Sequence, residues 1–156
     1  MLRMNKLADY GSVIMVFLAQ NSVNLTSARD IAVNTHLGLP TVSKILKRLA
    51  AAGLLISVRG VTGGYRLKHN ACDISVADIL YALDESRGLT ACSVSSDACA
   101  LQQVCHVQDN WRLISQSIEA ALESVSLEAL ATPVIPMETL NQMKSVVMGV
   151  NRVESA

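Results

Sequence analysis

The run Thr35-His36-Leu37-Gly38-Leu39-Pro40-Thr41-Val42-Ser43-Lys44-Ile45-Leu46-Lys47-Arg48-Leu49 decides how this chain is read. A turn around Gly38 leads into Pro40, whose fixed φ and missing N–H suit the first turn of a helix. Beyond it, Val42, Ile45, Leu46 and Leu49 recur at helical spacing as one apolar stripe. Thr41, Ser43, Lys44, Lys47 and Arg48 lie off that stripe, and the first four are best placed to face outward. Upstream, Thr26 or Ser27 suits the cap of a helix running to Asn34, with Ile31 and Ala32 turned inward. Two short helices joined by a tight turn, the second polar and basic outside, form the helix-turn-helix pattern.

The residues that follow narrow the reading. Leu54-Leu55-Ile56-Ser57-Val58 is rich in β-branched and apolar residues and predicts a strand. Arg59-Gly60-Val61-Thr62-Gly63-Gly64 is a turn, and Tyr65-Arg66-Leu67 begins a return strand. A hairpin directly after the basic helix makes the unit a winged helix. The glycines permit close approach of backbone to a phosphate, or they simply close the hairpin, and Arg59 is placed to enter a minor groove. The DNA reading is preferred because helix, turn and wing share one sign of charge.

Working outward, Lys6 to Asn21 predicts a first helix, with Leu7, Tyr10, Ile14 and Leu18 at helical spacing and Asp9 in its first turns. An acid there is ordinarily a favourable dipole partner. Asp73 to Asp84 predicts a helix with Ile74, Val76, Ile79, Leu80 and Leu83 as its apolar set. Trp111 to Ala131 reads as one long amphipathic helix, its stripe made of Trp111, Ile114, Ile118, Ala121, Leu122 and Val125. Such a helix appended to a small winged helix supplies a dimer interface, since one recognition helix reads half a site. Thr132-Pro133 and Pro136 end it, and Met137 to Met148 suits a short helix. The expected organisation is a winged helix-turn-helix DNA-binding domain over 1–84, a cysteine loop over 85–110, a dimerisation helix over 111–131 and a tail over 132–156. The expected fold class is mainly α with a small β-hairpin wing.

Composition agrees with a compact chain. Of 156 residues 51% are hydrophobic and 17% charged, enough to build a core. Net charge is zero, but residues 1–70 hold nine Lys/Arg against two acids, +7, and residues 71–156 hold four against eleven, −7. A polyanion is the expected partner of the first half. No signal-peptide order opens the chain, and no apolar run is long enough for a bilayer. The expectation is a cytoplasmic protein with no membrane partner.

Three of the four cysteines, Cys92, Cys99 and Cys105, fall in one nearly uncharged stretch, separated by six and then five residues. In a reducing compartment clustered cysteines bind metal or act in redox chemistry more readily than they form disulfides. Thiolates are the ligands of soft metals and iron–sulfur clusters. A closed site needs a fourth donor, and His106 adjoins the last cysteine. Cys72 stands apart and is expected to be a small core residue. The Cys-x-x-Cys pairs usual for structural zinc or a redox dithiol are missing, as are a G-x-S-x-G elbow and a phosphate-binding glycine loop. The chain is therefore not read as an enzyme.

Taken together, Lys6-Leu7-Ala8-Asp9-Tyr10-Gly11, the turn and helix around Gly38-Leu39-Pro40-Thr41-Val42, the wing Arg59-Gly60 and Gly63-Gly64-Tyr65, and the three cysteines resemble one family. It is that of the iron–sulfur winged-helix regulators of the IscR and NsrR type. Within it the chain looks most like regulators of SUF-type cluster-assembly genes. The resemblance implies a homodimer on a pseudo-palindromic double-stranded DNA operator, with an iron–sulfur cluster, 2Fe-2S or 4Fe-4S, in each subunit. It assigns Cys92, Cys99 and Cys105 as thiolate ligands. The IscR branch places a histidine ligand where this chain has Gln108. The nitric oxide-sensing branch uses an aspartate in the partner's first helix, the position of Asp9. The fourth ligand is thus Asp9 of the partner subunit or His106.

The expected DNA-contacting set is Ser27, Pro40, Thr41, Ser43, Lys44, Lys47, Arg59, Gly63 and Tyr65. The expected function is a cluster-dependent transcriptional regulator, a repressor, of cluster-assembly genes. The alternatives are a nitric oxide or redox sensor of the same family and a small iron–sulfur or zinc protein in metal handling.

Overall fold

The computed structural model describes residues 5–83, 89–90, 93, 105–134 and 137–150. Helix α1 (Lys6–Gln20) starts at Asn5, whose side chain accepts from Ala8 N at 2.8 Å and so satisfies one of the open N–H groups of the first turn. It buries Ala8, Gly11, Ile14, Met15 and Leu18. Helix α2 (Ala28–Thr35) is capped by Ser27 and ends at His36 in the left-handed region, φ 55°. That residue turns the chain, and the Leu37 N–H closes the end by donating to the Ala32 carbonyl. Helix α3 (Leu39–Ala51) carries proline in its first turn. Val42, Ile45, Leu46 and Leu49 on it are all fully buried, as their spacing predicts.

Strand β1 (Leu55–Val58) pairs antiparallel with β2 (Gly64–Leu67), Leu55 opposite Leu67 and Val58 opposite Gly64. The hairpin is stitched to the segment before α2. Thr26 N donates to Tyr65 O at 3.0 Å, and Tyr65 N donates to Thr26 O at 2.9 Å. Gly64 is placed by this contact, because a Cβ there would lie 2.6 Å from the Thr26 carbonyl oxygen. Gly64→Ala is expected to destabilise the fold by about 1–3 kcal/mol, as overpacking against backbone does. Urea denaturation of the two proteins measures it, and an unchanged midpoint with an unchanged slope would show that the hairpin moves away freely.

Sequence and structure part company further along. The helix expected from Asp73 to Asp84 is a 3-10 turn (Ala71–Asp73) followed by α4 (Val76–Leu83); Asp84 lies outside the described residues. Ser75 starts α4: its hydroxyl accepts from Asp78 N at 3.1 Å, and its own N–H donates to Asp78 Oδ2 at 2.9 Å. Cys72, expected in the core, is exposed. It sits in the 3-10 turn, where the next inward position belongs to Ile74, 1% exposed.

The long helix expected over Trp111–Ala131 is two helices, α5 (Gln108–Glu123) and α6 (Leu127–Leu130). The break has a tertiary cause. Ser126 bridges Ser75, with Val76 N donating to Val125 O at 2.8 Å and Leu127 N to Ile74 O at 2.7 Å. This pairing inserts Val125 and Leu127 into the core, 3% and 0% exposed. Ser126 then caps α6 through Ala129 N. Helix α7 (Met137–Val150) follows and packs along α5. The core lies where α1, α3, α4 and α6 meet, centred on Ile14, Leu18, Ile45, Leu46, Ile79 and Leu127. Each such side chain contributes about 1.5–3 kcal/mol through burial.

Candidate nucleic-acid interface

Burying one face of α3 leaves its other face to solvent. Pro40, Lys44 and Lys47 are exposed, and Thr41 and Ser43 are half-buried beside them. Gly38 caps the helix with no side-chain hydrogen bond. Open N–H groups at such an end favour an anion. Among the described residues the ion pair seen is Arg112 with Asp109 at 3.6 Å, near the start of α5. Lys44, Lys47 and Arg59 therefore make no ion pair among the described residues, and their charges are not neutralised there.

The wing presents a second basic point. Arg59 is exposed, next to Gly60 at φ 123°, and Val61 is wholly exposed at the tip. Gly63 and Tyr65 serve the wing itself. A Cβ on Gly63 would overlap the Val58 carbonyl oxygen, and Gly63 N donates to Gly60 O at 3.0 Å. Tyr65 is half-buried against the core, its backbone tied to Thr26. Ser27 is similarly engaged: it accepts from Asp30 N at 3.2 Å and donates to Asp30 Oδ2 at 2.6 Å. The structure thus leaves Pro40, Thr41, Ser43, Lys44, Lys47 and Arg59 open to a ligand and gives Ser27, Gly63 and Tyr65 work within the fold.

Arg48 departs from its basic neighbours. It is half-buried, and its Nη1 donates to the Leu83 carbonyl at 3.0 Å. The sequence hint was its position, next to Leu49 at the margin of the apolar stripe.

Of the cysteine stretch, Cys105 is described. It is a half-buried free thiol three residues before α5. Cys92 and Cys99 lie outside the described residues. Asp9 is exposed in the first turn of α1 and His106 is exposed beside Cys105, whereas Gln108 is half-buried. Among the described residues no three His, Cys, Asp or Glu side chains converge as a metal site. By its chemistry, a set of three thiols with a carboxylate or imidazole suits iron–sulfur ligation. Farther along α5, Trp111 and Ile114 are 40% and 43% exposed, so the first half of its apolar stripe is uncovered. No helix among the described residues is long and apolar enough to cross a membrane.

Comparison with known proteins agrees with this architecture. The chain is 30% identical over 122 residues to the protein rrf2 of Nitratidesulfovibrio vulgaris, covering 78% of this chain and 81% of that one. It is 37% identical over 101 residues to the HTH-type transcriptional regulator IscR of Photorhabdus laumondii, a match that spans 65% of this chain and 61% of that protein. Among solved structures, T. potens IscR superposes with a TM-score of 0.63 at 30% identity, over 81% of this chain and 84% of that one. The Photorhabdus relative is by its name a regulator of transcription. The Rrf2 family, described as iron-dependent transcriptional regulators, matches residues 4–133. The winged helix and the match over most of its length place the chain in that family: it is an Rrf2-family transcriptional regulator of the IscR type.

Proposed function

We propose that this regulator is a homodimeric, iron–sulfur-cluster-dependent repressor of cluster-assembly genes. The observation that carries the proposal is a juxtaposition within one unit. The cations of α3 and the wing are exposed and make no ion pair among the described residues, and the same chain carries the three cysteines after the winged helix in sequence. Cys92, Cys99 and Cys105 would hold the cluster, completed by Asp9 of the partner subunit or by His106. When bound, the cluster supplies reactivity toward oxidants and nitric oxide and a dependence on cluster supply. The chain's own residues do the rest. Pro40, Thr41, Ser43, Lys44 and Lys47 face the major groove, with Arg59 at a minor groove. Ser27, Gly63 and Tyr65 support that surface by fixing the start of α2 and the shape of the wing. The uncovered Trp111 and Ile114 face a second subunit, so that two recognition helices read two half-sites.

A second reading, a nitric oxide or redox sensor of the same family, is favoured by the exposed carboxylate of Asp9 together with Gln108 at the position where the IscR branch has histidine. Family membership favours both readings over a role in metal handling. The test is binding of anaerobically purified holo protein and of iron-stripped apo protein to a set of selected pseudo-palindromic duplexes. The two forms are expected to differ in affinity for at least one promoter, that of cluster-assembly genes first. Equal affinity for every duplex would leave a DNA-binding dimer without the sensing function.

A further inference from the structure

Leu83 is the last described residue of α4 and is 2% exposed. Its side chain and its carbonyl engage different helices. A Cβ on Gly11 of α1 would overlap Leu83 Cδ1 and sit 3.7 Å from Ile45 Cγ2, so this side chain closes the space between α1 and α3. Its carbonyl accepts the 3.0 Å hydrogen bond from Arg48 of α3. A guanidinium that donates to a backbone carbonyl makes a charge-assisted hydrogen bond, and this one ties α3 to α4. Arg48 has therefore left the outward face on which Lys44 and Lys47 remain exposed.

Leu83 also occupies a particular place in the chain. It lies nine residues before Cys92, and Gly11 lies two residues after Asp9. Leu83 thus packs on α1 two residues from Asp9 and takes its hydrogen bond from α3. We propose that Arg48 is a positioning residue that transmits the state of the cysteine stretch to the recognition helix by fastening α4 to α3 at Leu83. It is not a phosphate ligand. This rests on the cluster-dependent reading above and names the residue through which the regulation acts.

The test uses full-length wild type, Arg48→Met, Arg48→Lys and Gly11→Ala, each in holo and apo form, with affinity for one pseudo-palindromic duplex followed across salt concentrations. Iron and sulfide content and thermal midpoint are measured alongside. Wild type should show a holo-to-apo affinity ratio away from one. Arg48→Met should keep its iron, its sulfide and the wild-type salt slope while the ratio collapses toward one. Arg48→Lys, which retains a donor for the Leu83 carbonyl, should recover part of the ratio. Gly11→Ala, which displaces Leu83 from the opposite side with Arg48 intact, should also lower it. Should Arg48→Met not fold, the last two variants decide. A salt slope shallower by about 0.9 for each phosphate that the variant no longer neutralises would mark Arg48 as a phosphate ligand and overturn the proposal. So would an unchanged ratio in the folded variants. A wild-type ratio of one removes the regulatory reading itself, and this inference with it.

Discussion

Replacing Cys92, Cys99 or Cys105 by alanine is expected to abolish the colour, iron and acid-labile sulfide of anaerobically purified protein, whereas Cys72→Ala retains all three. Alanine offers no donor, and a site built on three thiolates on one short stretch has no spare cysteine nearby to replace a missing one. Cys105 already has a defined place, half-buried ahead of α5. Cys72 is exposed in the turn Ala71–Asp73 and precedes the cysteine stretch by the whole of α4. The fourth ligand is tested in the same preparation. Asp9→Ala should perturb the visible spectrum and shorten cluster lifetime more than Gln108→Ala does. If His106→Ala has that effect and Asp9→Ala has none, the histidine is the ligand. Stoichiometric zinc without sulfide in anaerobic protein would contradict the cluster assignment.

The second large effect concerns DNA. Because residues 1–70 carry +7, phosphate contacts should supply much of the affinity and give a steep dependence on salt. Each phosphate neutralised adds about −0.9 to the log–log slope, so Lys44→Ala should flatten it by about 1.8 in a dimer, where both subunits leave one phosphate unneutralised. Lys47→Ala separates two roles for that residue. Removing a phosphate ligand lowers affinity for all sequences alike, whereas removing a base-reading side chain costs roughly 1–3 kcal/mol at one position of each half-site. Arg59→Ala should weaken binding and relax preference at the outer positions, where a narrow A·T-rich minor groove attracts arginine. Half-sites should lie about one helical turn apart or a multiple of it. The measurement is fluorescence anisotropy on a duplex library at several salt concentrations. A slope indifferent to both lysines would place the DNA on another face.

The candidate interface was largely legible because its signals are local. Pro40, the stripe Val42, Ile45, Leu46 and Leu49, and the polar set between them lie within a dozen residues, and α3 forms as they predict. Ser27 illustrates the limit. The sequence identified it both as a cap and as a DNA-contacting residue, and the structure shows its hydroxyl committed to Asp30. The pair Gly63-Gly64 carried two readings, and the structure supplies the hairpin reading with its reason: the Val58 and Thr26 backbones stand where side chains would go.

Local pattern was enough for the winged helix and for the outward cations of α3 and the wing, because periodicity, caps and turn residues act over a few neighbouring positions. The remaining features were settled by three-dimensional packing. Arg48 turned from the basic face because the carbonyl of Leu83 on α4, 35 residues away in the chain, accepts its hydrogen bond. The expected long helix broke after Glu123 because Ser126 found Ser75 and carried Val125 and Leu127 into the core. Cys72 was left outside because Ile74 took the buried place. For Arg48 and Ser126 the deciding partner is distant in sequence, and no local pattern specifies which distant backbone group a side chain or strand will meet.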